Sequence, residues 1–417
     1  MMKRTMTSIS TGLVAVVLLA GCAGGDSAGG GDTTLQLTWQ AGQEAAVDPV
    51  IAAFEKANPG VTVDVQYLPV DTYGQVVQTR FQSGNGPDLV WGSPGTGNPN
   101  ALGLLEEQGN LLDLADQSFA ESVPDITGLR NGDVLYGIPV GVFPIGMAVN
   151  TTALEASGTT VPTTFDDLLE QCRTAAANGY SFVSLAGQGS GLGSLFLATL
   201  ASQWVLGEDP GWIDQRLAGD TTFAETPGWK TTIDRYVAMK DAECYPKGVA
   251  SMDTGQQISD LAAGKSVTGV VPADAIVQIA SSAPDAEFEM YPFPGDSEAT
   301  TFLPISFGQG LGVNKASKHV DQAVAFVEFL QQPENQRMLA DGLGAVSLGD
   351  YNDGKLTGII ASLSETIASG QTVAYMPLQF PNPDVLTVLG NDVTGLLTGQ
   401  TSADAALTNL DDAWDKN

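Results

Sequence analysis

Between Leu35 and Trp91 the chain reads strand, helix, strand, helix, strand, with short connections throughout. Leu35-Gln-Leu-Thr-Trp39 alternates apolar and polar residues until Gly42 breaks the pattern. Asp48 followed by Pro49 is a favoured helix opening, because Asp caps free N–H groups and Pro lacks one. That helix turns Val50, Ile51 and Phe54 inward and stops at Asn58-Pro-Gly60. Val61 to Tyr67 alternates again, Tyr73 to Phe81 reads as helix, and Pro87 to Trp91 as a short buried strand. Such an order is the signature of a parallel α/β sheet, and the segment reads as one complete lobe.

A second lobe is expected to begin near Val149. Pro162-Thr-Thr164 with Asp167 resembles a capping box for a helix running through Leu169 and Cys172. The glycine-rich run Gly187 to Gly193 opens an apolar helix that reaches Trp204, and Val267 to Val271 is a buried strand. Asp321 to Leu330 places Ala323, Val324, Phe326, Val327 and Leu330 on one helix face, and Pro333 starts the next helix. The length independently favours two domains.

Hydrophobic residues make up 43% of the chain and six are Trp, enough for real cores. Acidic residues number 48 against 17 basic ones, a formal net charge of −31. That field repels nucleic acid and anionic surfaces and disfavours phosphate or sulfate ligands. Neutral or cationic small molecules remain, and no nucleic-acid partner is expected.

The N-terminus carries Lys3 and Arg4, an apolar run from Ile9 to Ala20, then small residues, which is the pattern of a secretory signal. The run falls short of the about 20 apolar residues a spanning helix needs. Leu19-Ala-Gly-Cys22 resembles the lipobox of bacterial lipoproteins, in which the Cys sulfur carries a diacylglyceryl group. The resemblance implies a signal peptide over 1–21, lipidation of Cys22, and a Gly-rich tether over 22–32. An ordinary signal with an incidental Cys is the alternative. Lipidation leaves Cys172 and Cys244, an even pair in an oxidising compartment, for which a disulfide is expected and two separate thiols are the alternative.

Several segments, in order, resemble the sugar-binding group (family 1) of extracellular solute-binding proteins of ABC importers. They are Phe54 to Val63, Gly86-Pro-Asp-Leu-Val90, Leu135 to Pro139 followed by Met147 to Asn150, and Val161 to Leu168. Gly264-Lys265, Ala323 to Leu330 and Gly399 to Ala406 complete the series, so the likeness runs from Leu35 to Trp414. It implies an α/β, two-lobe periplasmic-binding-protein-like fold with crossing hinge strands. By analogy lobe one takes 33–144 and 306–343, and lobe two takes 145–305 and 344–417. The implied function is capture of a small solute, first of all a mono- or oligosaccharide, and delivery to membrane permease subunits. A monomer anchored by lipid outside the cell membrane is expected, with no cofactor.

Sugar recognition needs flat apolar faces and fixed hydroxyl partners. Trp39, Gln40 and Gln43 follow the first strand, where open α/β sheets expose ligand groups. Trp39 alternates with Leu35 and Leu37, so a core role competes with a ligand role. Trp91-Gly-Ser93 follows the second exposed strand end, and Ser93 is the stronger ligand candidate because a core role competes for Trp91. Phe143 either lines the cleft or packs the hinge. Ser190 sits in the glycine-rich loop at a helix start, which favours polar atoms, and a plain glycine-rich turn without ligand is the alternative. Asp274 stands near where sugar-binding relatives often carry a Trp, and grips hydroxyls or an amine unless it is a helix cap. Phe307 and Gln309 fall on the second crossing, and Gln379, beside Phe380, near a late aromatic wall.

No catalytic residue is expected. The one His, His319, begins a helix beside Lys315 and Lys318, away from any triad arrangement. A single His with two Cys makes a poor zinc site, and no metal site is expected. Gly264-Lys265-Ser266 lacks the earlier P-loop glycine, since Ser259 stands there. A lipid-anchored glycan hydrolase using paired carboxylates and a surface binding protein without transport are the competing readings.

Overall fold

The computed structural model describes residues 33–189 and 191–416. Cys22 with the leader and tether, and Ser190, lie outside the described residues.

The first sheet has five strands in the order Val61–Leu68, Thr33–Gln40, Leu89–Gly92, Gly310–Val313, Ile138–Pro139. The first three are parallel, with Thr33 opposite Val61 and Leu37 opposite Leu89. Gly310–Val313 then runs antiparallel, placing Gly310 beside both Gly92 and Pro139. Leu35, Leu37 and Trp39 are all buried, so the alternation seen in the sequence marks the core face. Phe54 meets Phe326 and Phe329 edge to face at 4.9 and 5.4 Å, which ties the first helix to the late helix Val320–Leu330. Gly342 lies so close to Ala46 that a Cβ there would come within 2.8 Å of it. Chain segments almost 300 residues apart in sequence thus share one core.

The first helix begins a turn earlier than Asp48-Pro49 suggests. It spans Glu44–Ala57 with Pro49 inside it. Glu44-Ala-Ala-Val are adequate helix formers, Ala46 and Val47 are buried, and a proline this near the start removes only one intrahelical hydrogen bond.

The second sheet follows the order Thr372–Ala374, Leu303–Ser306, Phe143–Asn150, Ser266–Pro272, Ser181–Ser184, with Phe288–Tyr291 also on Phe143–Asn150. Every residue of Phe143–Asn150 is buried. Thr164 accepts from the Asp167 N–H at 3.1 Å while Asp167 accepts from the Thr163 N–H at 3.1 Å, a reciprocal start for helix Phe165–Ala177. That helix is joined to the chain beyond helix Pro227–Asp241 by a disulfide between Cys172 and Cys244. Trp212, Phe223, Trp229 and Trp414 form an edge-to-face cluster, and Arg216 lies over Trp414 at 5.1 Å with Asp415 at 2.8 Å and Asp411 at 3.3 Å. The C-terminal helix Ala403–Trp414 is held on this lobe by that cluster.

Three segments join the sheets. Pro139 leads to Phe143, Ser306 leads to Gly310, and helix Pro333–Leu343 continues through Val346, which exchanges backbone hydrogen bonds of 2.8 and 2.9 Å with Val142. In the first sheet Gln40, Gly92, Pro139 and Gly310 lie at one edge. In the second, Ile145 pairs with Pro272 and Ser184 with Gly269, so those strand ends meet the same crossings. The result is a two-lobe α/β fold whose carboxyl strand edges converge on the hinge, where open sheets place ligands.

Candidate ligand cleft

At the lobe-one edge two indoles govern what is exposed. In place of a ring facing ligand, Trp39 is 1% exposed and its Nε1–H donates to Gln43 Oε1 at 2.7 Å. Trp91 is also buried, and its Nε1–H donates to Gln309 Oε1 at 3.0 Å. Tyr73 locks both strands, donating to the Trp91 carbonyl at 2.7 Å and packing edge to face on its ring at 5.0 Å. Gln40, Gln43 and Gln309 are half-buried, so carboxamides rather than rings reach the edge. The Ser93 side chain is buried, and its Oγ has no partner among the described residues.

Phe143 and Phe307 occupy the crossings as packing groups. Phe143 is buried against Gly141, and Phe307 is buried with Tyr351 edge to face at 5.8 Å.

On lobe two, the loop before helix Leu192–Ala201 is tied down by backbone and hydroxyl contacts. Gln188 N donates to Met252 O at 3.0 Å, and Thr394 Oγ1 donates to Gly187 O at 2.7 Å. Gly189 has φ +82°, and a Cβ there would fall 1.7 Å from the Gly390 carbonyl oxygen, so only glycine fits. Beside this loop lies a concavity of about 570 Å³ formed by Leu192, Leu195, Tyr375 and Leu386 with Gln188, Thr254 and Asn391. Among the described residues no charged side chain lines it. Burial pushes the Tyr375 hydroxyl above the ordinary tyrosine range.

Asp274 begins helix Ala273–Ser282 and packs on Gly344 of the third crossing. Its Oδ1 is buried without a partner among the described residues. Burial raises its pKa above the usual aspartate value, while the backbone N–H of Ala275 pulls the other way. Gln379, half-buried, lies where the lobes touch: Thr96 Oγ1 donates to the Phe380 carbonyl at 3.2 Å. Phe380 itself is buried on Trp414, at 5.7 Å, and presents no wall.

The structure therefore brings Gln40, Gln43, Ser93 and Gln309 to one edge, with Gln188, Asp274 and Gln379 on the other lobe's side. Sequence reading missed the Trp91–Gln309 pair and the Tyr375, Leu386 and Asn391 wall. The pair is 218 residues apart, and no spacing signal could have found it. A second concavity of about 480 Å³ lies by Asn150 and Asp285. It is at the far end of the crossing strand, about 23 Å from Phe143, and is separate from the cleft. Among the described residues no group of three His, Cys, Asp or Glu side chains comes together to hold a metal, and no helix is long and apolar enough to cross a membrane.

Residues 37–337 match the family described as bacterial extracellular solute-binding protein. An uncharacterised lipoprotein from the oleD 5' region of Streptomyces antibioticus is 25% identical over 79% of this chain and 73% of its own. A putative ABC transporter periplasmic-binding protein, YcjN of Escherichia coli K12, is 25% identical over 41% of this chain and 40% of its own. A family 1 extracellular solute-binding protein from Bifidobacterium longum subsp. infantis superposes with a TM-score of 0.75 at 21% identity, covering 92% of this chain and 99% of that one. The binding protein RafE, solved with raffinose, gives a TM-score of 0.71 at 19% identity, with 92% and 99% covered. The two-lobe fold and the family match lead to one conclusion: the chain belongs to the bacterial extracellular solute-binding proteins.

Proposed function

We propose that this protein is the substrate-binding component of an ABC importer and captures a neutral mono- or oligosaccharide between its lobes. The observation that carries the reading is a set of uncharged polar side chains: Gln40, Gln43 and Gln309 at the lobe-one strand edge, and Gln188 and Asn391 lining an apolar concavity on lobe two. A sugar offers both a C–H face and hydroxyls, which such a mixed lining suits. Raffinose in a structural neighbour and the ABC transporter name of a relative point the same way. The ligand-contacting set is Gln40, Gln43, Ser93, Ser190, Asp274, Gln309 and Gln379, with Trp39, Phe143 and Phe307 behind it.

The lobes divide as 33–144 with 306–343, and 145–305 with 344–417. Cys22 carries a lipid that keeps a monomeric capture protein outside the cell beside its permease. A binding role without enzymatic turnover follows from the same reading.

A thermal-shift panel of neutral mono- and oligosaccharides tests the function, because a ligand of the folded form raises Tm. At least one sugar should shift melting and none should be cleaved. A panel without any shift, or release of hydrolysis products, would overturn the reading. Mass analysis of membrane-extracted protein, with and without Cys22→Ser, tests the anchor.

A further inference from the structure

We propose that Trp39 and Trp91 are positioning residues which aim the amide NH₂ groups of Gln43 and Gln309 into the cleft. The inference rests on the ligand cleft described above and adds which atoms face the ligand. An indole nitrogen can donate but not accept. Trp39 Nε1 lies 2.7 Å from the Gln43 carboxamide and Trp91 Nε1 lies 3.0 Å from that of Gln309. Both indoles are buried, so a flipped carboxamide would set N–H against N–H and leave a buried donor without a partner. Each oxygen is therefore held inward, and each NH₂ is the end left on the half-buried, outward side.

The indoles are themselves immobile. Trp39 belongs to the strand Thr33–Gln40, and Gln43 lies one turn beyond it. Trp91 is braced by Tyr73, while Gln309 is fixed through its own carbonyl, which accepts from Val140 N at 3.2 Å. Lobe one thus presents two oriented donor pairs, one in the turn after strand Thr33–Gln40 and one on the second crossing, each held by a buried indole. The matching ligand atoms are acceptors, such as hydroxyl, ring or glycosidic oxygens, and an ammonium group at either place is rejected. The two tryptophans act on specificity without touching the ligand.

Trp39→Phe and Trp91→Phe keep a ring in the core and remove only the N–H. Gln309→Glu keeps an oxygen facing Trp91 and replaces the donor pair by an acceptor. With protein labelled in its glutamine side chains, the amide resonances of Gln43 and Gln309 should be shifted by the hydrogen bond at their oxygens, and should move to solution-like values in the matching Trp→Phe variant. Raffinose serves as the calorimetric probe: affinity should fall about tenfold in Trp91→Phe and further in Gln309→Glu. Melting temperature measured alongside separates this from loss of folding, since Gln309→Glu leaves the core intact. Unchanged glutamine resonances in both Trp→Phe variants would overturn the proposal, and so would wild-type raffinose affinity in those variants. If raffinose does not bind the wild-type protein, raffinose alone is excluded as the ligand, the sugar panel decides the function, and the amide resonances decide the positioning.

Discussion

Asp392→Asn should make the protein more stable at neutral pH. Asp392 lies on helix Pro383–Thr398 and is 3% exposed. Its Oδ1 accepts from Asn409 Nδ2 at 3.0 Å, while Oδ2 is buried with no partner among the described residues. Burial pushes its pKa up from 3.8 to about 6. The folded protein therefore holds a proton that the unfolded chain releases. The group favours folding most below the unfolded value of 3.8, and this advantage is lost as pH rises through about 6. At pH about 7.5 the carboxylate is charged in both states, and the shift corresponds to about 3 kcal/mol against folding. Relaxation around the charged carboxylate, whose one partner is the Asn409 amide, reduces this to about 2 kcal/mol. Asparagine keeps the acceptor for Asn409 and carries no charge, so Tm should rise about 3 °C at neutral pH. Calorimetric melting of both proteins between pH about 4 and 7.5 checks the sign, since the difference must shrink as the wild-type group protonates. An unaltered or lower Tm at neutral pH, or a difference that does not vary with pH, would refute the burial argument.

Other consequences follow from the packing. Cys172 and Cys244 are 72 residues apart, and opening the bridge by a Cys→Ala pair should cost about 4 kcal/mol in denaturant unfolding. A loss near zero would mean that the unfolded chain is not constrained by it. At Gly95, with φ +68°, a Cβ would fall 1.9 Å from the Leu378 carbonyl oxygen across the two lobes. Gly95→Ala should therefore push that contact apart, seen in small-angle scattering as a radius of gyration larger than the about 21 Å of a compact chain this size. An unchanged profile would show that the loop yields instead of the lobes.

Much of the architecture is legible because it is local. The alternation in Leu35 to Trp39 and Val61 to Tyr67 marks buried faces, and Thr164 with Asp167 forms the reciprocal start that residue chemistry suggests. The first helix was misplaced because Asp48-Pro49 is a strong local signal, outweighed by burial of Ala46 and Val47. The site is harder, since its parts are tertiary. Nothing near Trp91 announces Gln309, and nothing near Gly189 announces Gly390. A tryptophan at a strand end is equally consistent with core and ligand roles until its N–H partner is known. At Trp39 that partner, Gln43, assigns the ring to the core and the carboxamide to the edge.

Capture between the lobes is tested most directly by scattering during titration of the intact protein with a neutral oligosaccharide that raises its Tm. Closure about the three crossings should lower the radius of gyration along the same saturation curve as calorimetric binding, with one ligand per chain. Saturable binding with no compaction would place the ligand outside the cleft, and the absence of binding by any neutral saccharide would contradict the assignment altogether.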